Sequence, residues 1–200
     1  RARAGQLIHH AIGERVGKWD ADFHEVHARI GEGADEFAGG VERRIAAADV
    51  GDEACALLGA EAGECLINAI EVSPHDPATA YIATTRYKFN DYTPALFKTT
   101  DYGKTWTRIV DGTDVQSYAL SIVEDLETPN LLFLGTDDGL YISVDAGSKW
   151  TKWTNGFPTV SVKDLVIHPR EHDLVIGTFG RAAWVLDDIR PLREMAKNTG

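Results

Sequence analysis

The chain has 200 residues, 44% of them hydrophobic and 26% charged, a composition typical of soluble globular proteins. Its formal net charge of −11 argues against nucleic acid and anionic membrane surfaces as partners, because both favour Lys and Arg. No apolar run is long enough for a transmembrane helix, and no apolar core follows the basic N-terminal residues, so we expect no complete signal peptide. The two cysteines, Cys55 and Cys65, are too few for a framework of several disulfides or a four-cysteine zinc site.

Residues 1–64 differ in composition from the rest of the chain. They contain no Ser, Thr, Pro, Tyr or Asn, but 14 Ala and 10 Gly. Trp19, Phe23, Val26 and Ile30 share one helical face, yet glycines interrupt every such stripe, and each interior Gly costs about 1 kcal/mol relative to Ala. We therefore expect a weakly helical or disordered leader. Composition leaves a second hypothesis open, in which this segment is a GC-rich gene read out of frame.

The leader also contains a near match to a zinc motif. His24 and His27 flank Glu25, but they are three residues apart rather than the four of His-Glu-x-x-His. No third ligand lies nearby in the sequence. We therefore expect no metal site and no cofactor.

Residues 65–200 contain all seven prolines and all six tyrosines, and they repeat. Residues 70–84, 121–136 and 164–178 each read as an apolar strand, a polar turn and a second apolar strand ending in Thr, at offsets of 52 and 42 residues. A period of about 40–50 residues with several strands per unit is typical of propeller blades. We predict strands near residues 69–73, 80–85, 95–100, 106–110, 118–124, 131–136, 139–143, 150–153, 162–167, 173–178 and 182–186.

A second motif, Ser/Thr-x-Asp-x-Gly-x-x-Trp, occurs twice, 44 residues apart. In a hairpin turn the Asp carboxylate can accept bonds from backbone N–H groups, the Gly supplies a positive φ, and the Trp packs over the turn. We interpret these residues as structural rather than catalytic. They are Thr99, Asp101, Gly103 and Trp106 in the first copy, and Ser143, Asp145, Gly147 and Trp150 in the second.

This pattern resembles the Asp-box (BNR) repeat of sialidases, xyloglucanase-type glycoside hydrolases and sortilin/Vps10-like receptors. The closest resemblance is to bacterial Vps10/sortilin-like proteins often labelled glycosyl hydrolases. It covers residues 65–195 and rests on four segments: 70–77, 87–89, 98–106 and 177–189. The resemblance implies a mainly β fold, a partial β-propeller of about three blades, in an extracytoplasmic protein.

The third repeat departs from the first two. After Asp187-Asp188 there is no Gly and no returning Trp, and Pro191 follows in what reads as the first turn of a short helix. In the family's terms this resembles the end of a propeller whose last blade lacks its fourth strand. We therefore divide the chain into a leader (1–64), Asp-box blades (65–188) and a C-terminal helix and tail (189–200).

The sequence offers scattered candidates for chemistry but no catalytic constellation. The adjacent pairs Asp137-Asp138 and Asp187-Asp188 point to opposite faces if they lie on strands, so neither pair can flank one glycosidic bond. We interpret the remaining acids as solvated loop residues and leave the catalytic residues unassigned; these acids are Asp76, Asp91, Asp125 and Asp164. Four arginines stand singly, without the cluster that a sialidase needs: Arg86, Arg108, Arg170 and Arg181. The aromatics that could stack on sugars, or pack between blades, are Tyr87, Phe89, Tyr92 and Trp153.

From the resemblance we expect part of a ligand-binding or structural Vps10/sortilin-like propeller, with protein, peptide or glycan as partner. We expect no catalytic activity from this chain alone. A glycoside hydrolase of the sialidase or xyloglucanase type is the alternative for the parent protein.

Overall fold

The computed structural model describes residues 55–57 and 64–199, and in this part the protein is mainly β. Eleven strands form three consecutive antiparallel sheets within the described residues, each in sequence order, and we number these sheets as blades 1 to 3. Blade 1 contains β1 (Leu66–Val72), β2 (Ala80–Arg86), β3 (Asp91–Thr99) and β4 (Thr107–Val110). Blade 2 contains β5 (Ala119–Glu124), β6 (Leu132–Thr136), β7 (Gly139–Ser143) and β8 (Thr151–Lys152). Blade 3 contains β9 (Val162–His168), β10 (Asp173–Thr178) and β11 (Ala183–Leu186).

The fold class predicted from the repeats is confirmed, and every predicted strand has a counterpart. The largest difference in position is at β3, which begins four residues earlier than expected, at Asp91. A 3-10 turn, Tyr87–Phe89, ends at Asn90 in the left-handed region with φ of 60°, and the chain then pairs Asp91 with Arg86. Asp91, interpreted from the sequence as a solvated loop residue, therefore lies in a short extension of the β2–β3 hairpin.

Blade 2 is buried on both faces because its strands alternate between two hydrophobic clusters. Leu132 and Leu134 of β6 pack towards blade 1, while Phe133 packs towards blade 3. Burial on both faces explains why these strands read as nearly continuous apolar runs. Blades 2 and 3 also approach closely: a Cβ at Gly135 would lie 2.6 Å from Cγ1 of Val162 on blade 3 and 2.9 Å from its carbonyl oxygen, so only glycine fits there.

A C-terminal helix, α1 (Arg190–Lys197), follows β11. Pro191 lies in its first turn, as the sequence predicts, because a proline at that position lacks only an N–H that would be unpaired anyway. Ile189 and Ala196 are fully buried and join the cluster between blades 2 and 3. The helix therefore closes one end of the contact between these two blades.

Cys55 and Cys65 form a disulfide that spans ten residues. Two cysteines are too few for a framework, but the sequence analysis did not anticipate this single bridge, which ties helical residues 55–57 to the start of β1. The expectations for the rest of the leader, including His24 and His27, lie outside the described residues. In the described part, no helix is both long and apolar enough to cross a membrane.

Candidate functional site

The blades have two ends that differ in chemistry. Strand order places the β1–β2, β3–β4, β5–β6, β7–β8 and β9–β10 turns at one end, which we call the Asp-box end. The β2–β3, β4–β5, β6–β7, β8–β9 and β10–β11 connections lie at the other, which we call the aromatic end. An interblade hydrogen bond from the Asn68 side-chain amide to the Ala119 carbonyl, 2.7 Å long, lies at the aromatic end.

The second Asp box is a closed hydrogen-bonded turn at the outer hairpin of blade 2. The Ser143 hydroxyl donates to the Asp145 carboxylate at 2.8 Å and accepts the Gly147 N–H at 2.9 Å. The same carboxylate accepts the Lys149 N–H at 2.9 Å. Gly147 has φ of 92°, and a Cβ there would lie 2.9 Å from the Ile109 side chain of blade 1. The positive φ therefore favours glycine in this turn, which lies close against blade 1.

The first Asp box has the same geometry. The Thr99 hydroxyl donates to Asp101 at 2.9 Å and accepts the Gly103 N–H at 3.0 Å. Asp101 accepts the N–H and the hydroxyl of Thr105, and these two bonds lower the pKa of Asp101 to about 2. Both carboxylates are thus engaged in hydrogen bonds inside their own turns.

The two box tryptophans differ in burial. Trp150 is 4% exposed, its indole N–H donates to the Ile109 carbonyl of blade 1 at 3.1 Å, and its backbone N–H donates to Asp114 at 3.2 Å. Trp106 is only half-buried and packs against the small cluster around Ile82. The box tryptophan of blade 2 therefore holds one blade on its neighbour, a contact that the sequence does not predict.

A surface of tyrosines occupies the aromatic end of blade 1. Tyr118, from the β4–β5 connection, stacks on Tyr87 with ring centroids 5.5 Å apart and lies 6.1 Å from the ring of Tyr92. Tyr92 is 55% exposed, and Phe89 in the same hairpin is also exposed. We call Tyr87, Phe89, Tyr92 and Tyr118 the aromatic patch. The sequence identified three of these residues as candidates and missed Tyr118, which lies far from the others in the chain.

Charged groups flank the aromatic patch. Arg86 pairs with Glu64 at 2.9 Å and with Asp91 at 3.5 Å, and its guanidinium lies 5.9 Å from the centre of the Phe89 ring. Hydrogen bonds from Thr93, with a smaller contribution from Arg86, hold the pKa of Asp91 below its ordinary value. Arg86, Glu64 and Asp91 each have a polar partner. The exposed rings of the aromatic patch are therefore bordered by polar atoms that are held in place.

Blade 2 contributes Asp137 to the same end. Its backbone N–H donates to the Tyr118 carbonyl at 3.3 Å. Burial, and then the Asp137 carboxylate, raise the pKa of Tyr118 to about 12. The Tyr118 hydroxyl therefore stays protonated at physiological pH and can donate hydrogen bonds.

A groove of about 540 Å³ lies at the outer rim between blades 1 and 2, lined in part by Arg108, Asp111 and Trp150. Its polar groups hold the fold together. Arg108 donates to the carbonyl oxygens of Pro94 and Val110 within blade 1, and the Trp150 indole N–H donates to the Ile109 carbonyl across the two blades. We therefore assign the groove to the contact between the blades.

The other candidates from the sequence do not come together into a site. Asp138 binds Lys152 at 2.6 Å, Asp188 binds Arg190 at 2.6 Å, and Asp76 accepts bonds from its own turn. The interpretation of Asp125 as a solvated loop residue is wrong: its side chain is fully buried and ion-paired with Arg193. Within residues 55–57 and 64–199, no group of three or more His, Cys, Asp or Glu side chains is placed to hold a metal ion. The remaining candidates lie on blade 3 or on the connection that leads to it, and not in the segments that form the aromatic patch: Trp153, Asp164, Arg170 and Arg181.

Comparison with known proteins agrees with this arrangement. Residues 94–188 match the Sortilin-Vps10 family model, described as sortilin, neurotensin receptor 3. The chain carries part of an Asp-box β-propeller. No curated protein matched the sequence.

Two solved structures share the fold. The GH74 enzyme of Niastella koreensis is 24% identical with a TM-score of 0.53, over 61% of this chain and 21% of the enzyme. The GH74 xyloglucanase from Xanthomonas campestris is 19% identical with a TM-score of 0.51, over 61% of this chain and 22% of the enzyme. The chain thus spans about a fifth of the length of these enzymes.

Proposed function

We propose that this chain is part of a ligand-binding, Vps10/sortilin-like propeller, and that the aromatic patch is its contact surface. The observation that supports this is the grouping of solvent-exposed rings at one end of the blades. Exposed aromatic groups bordered by polar atoms are typical of surfaces that bind protein, peptide or glycan. In this proposal the chain alone has no catalytic activity.

The test compares variants at the two ends of the blades. Tyr87→Ala with Tyr92→Ala removes rings from the patch, and Tyr102→Ala is the matched control, since Tyr102 is 56% exposed at the Asp-box end. The probes are xyloglucan oligosaccharides and a displayed random-peptide library. We expect the double variant to weaken the selected interaction roughly thirtyfold, as loss of aromatic anchors does, and the control to leave it unchanged. Equal binding by the double variant would contradict the proposal.

A glycoside hydrolase is the second candidate for the parent protein, supported by the fold shared with two GH74 enzymes. Asp91 and Asp137 both lie beside the aromatic patch. Glycoside hydrolysis needs two carboxyl groups flanking the scissile bond. Release of reducing ends from xyloglucan by the parent protein, abolished by Asp91→Asn or Asp137→Asn, would support this candidate over the first.

We also propose that the parent works outside the cytoplasm. The support is the Cys55–Cys65 disulfide, because such bonds persist in oxidising compartments. Thiol labelling of the protein from its native source tests this: unlabelled cysteines before reduction are expected, and free thiols would contradict it.

A further inference from the structure

The contact between blades 1 and 2 buries a carboxyl group that the proposed function does not use. Glu124 ends β5, which packs against β1 and β2, and it is 2% exposed. The Tyr81 hydroxyl donates to its Oε1 at 3.3 Å. Its Oε2 is buried without a hydrogen-bond partner among the described residues. The Ser73 side chain offers the carboxyl group a further hydrogen bond, but a carboxylate buried here would still be poorly solvated.

The groups that face Glu124 come from every element packed around it. Ser73 and His75 lie in the β1–β2 turn, Tyr81 is on β2, and Lys98 on β3 lies with Nζ 5.5 Å from the centre of the Tyr81 ring. These four groups favour the ionised form. Burial outweighs them and raises the pKa of Glu124 above its ordinary value of 4.5.

The next residue shows what full compensation requires. Asp125 is completely buried, and Arg193 of α1 donates to both of its carboxylate oxygens at 2.8–3.0 Å. The Asp125 carboxylate also accepts hydrogen bonds from the backbone N–H groups of Glu127 and Thr128. Two adjacent buried acids thus serve different contacts: Asp125 is ion-paired towards blade 3 and α1, whereas Glu124 faces blade 1 and has no salt bridge within residues 55–57 and 64–199.

We propose that the contact between blades 1 and 2 is a proton-controlled joint, closed while Glu124 carries a proton and loosened when Glu124 ionises. A neutral carboxylic acid fits the buried position, whereas its ionised form has to be stabilised by water that enters the contact. The closed contact is therefore most stable below pH 4.5 and weakens as pH rises towards the raised pKa of Glu124.

This joint bears on the aromatic patch, a consequence that rests on the proposed function. β5 runs from Glu124 to Ala119, the residue after Tyr118. The patch itself joins Tyr87 and Tyr92 of blade 1 to Tyr118 at the start of blade 2. Loosening the joint separates these rings, so a ligand that spans them is released as pH rises.

The direct test is native-state hydrogen exchange of the full chain between about pH 4 and pH 8, corrected for the intrinsic exchange rates. In the wild type, the opening constant for β2 and β5 is expected to rise up to tenfold per pH unit between 4.5 and the raised pKa. Glu124→Gln, which mimics the neutral acid, is expected to show no such rise. Glu171→Gln removes an exposed acid of blade 3 and is expected to behave as the wild type. The same pH response in wild type and Glu124→Gln would overturn the proposal.

A second measurement needs no variant. Carbon-13 NMR of glutamate carboxyls in the wild type is expected to show one group that titrates above the others. Titration of all glutamates together near 4.5 would overturn the proposal. Hydrogen exchange without ligand tests the joint alone, whereas a pH dependence of ligand binding that Glu124→Gln abolishes tests its coupling to the patch.

Discussion

The two ends of the blades differ in how their side chains are used. Those at one end are bonded to each other and stabilise the fold, whereas those at the other end are left available for a ligand. At the Asp-box end, hydroxyl, carboxylate and N–H groups satisfy one another within each turn, and α1 inserts Arg193 into a buried network. At the aromatic end, tyrosine rings stack on each other but remain exposed. The hydrogen-bonded polar residues therefore mark the end of the blades that stabilises the fold, although acidic motifs of this kind first suggest catalysis.

The largest effect is expected at the interblade tryptophan. Trp150→Ala removes a buried ring and its hydrogen bond to Ile109, and should cost about 3–5 kcal/mol in free energy of unfolding. Trp106→Ala, at the half-buried equivalent position, should cost clearly less. Urea denaturation measures both, and equal losses would break the distinction between the two boxes.

Arg193→Met should cost about 3 kcal/mol, because it leaves the Asp125 carboxylate buried without its ion partner. Adding Asp125→Asn should recover part of the loss, since no uncompensated charge then remains. A double-mutant cycle in denaturant measures this coupling. Strict additivity of the two substitutions would show that α1 is not held by this pair.

Ser143→Ala should cost about 1–2 kcal/mol, because it leaves the buried N–H of Gly147 without its acceptor. Ser148→Ala, in the exposed part of the same turn, serves as the control. Thermal unfolding compares the two, and a loss no greater than that of the control would contradict a structural role for the hydroxyl.

Acid should weaken the first Asp box. The pKa of Asp101 is lowered from 3.8 to about 2, so its stabilising effect is present above 3.8 and is lost as pH falls towards 2. Asp101→Asn should reduce this part of the acid dependence. Denaturation at a series of pH values checks it, and an unchanged acid limb would contradict the assigned hydrogen bonds.

The smallest effect on stability is expected at the aromatic end. Tyr87→Ala with Tyr92→Ala should change the free energy of unfolding by about 0.5 kcal/mol each or less, because both residues lie at the surface and neither belongs to the core. Chemical denaturation of the double variant checks this. A loss as large as that of Trp150→Ala would show that the patch is part of the core.

The sequence predicts the strands and the box turns because both depend on neighbouring residues. A continuous apolar run marks β6, and Thr99-x-Asp101-x-Gly103 carries its own hydrogen-bonding partners. It does not predict contacts that join distant residues. Tyr81 meets Glu124 across 43 positions and Arg193 meets Asp125 across 68, and no local pattern encodes such pairings.

The central claim is that ligands bind at the aromatic end, and a hydrogen-exchange footprint of the full chain with a selected glycan or peptide tests it most directly. We predict protection of residues 86–93 and 113–119 on ligand binding, with residues 99–106 and 143–150 unchanged. Protection confined to the two Asp boxes, with the aromatic end unaffected, would contradict the account.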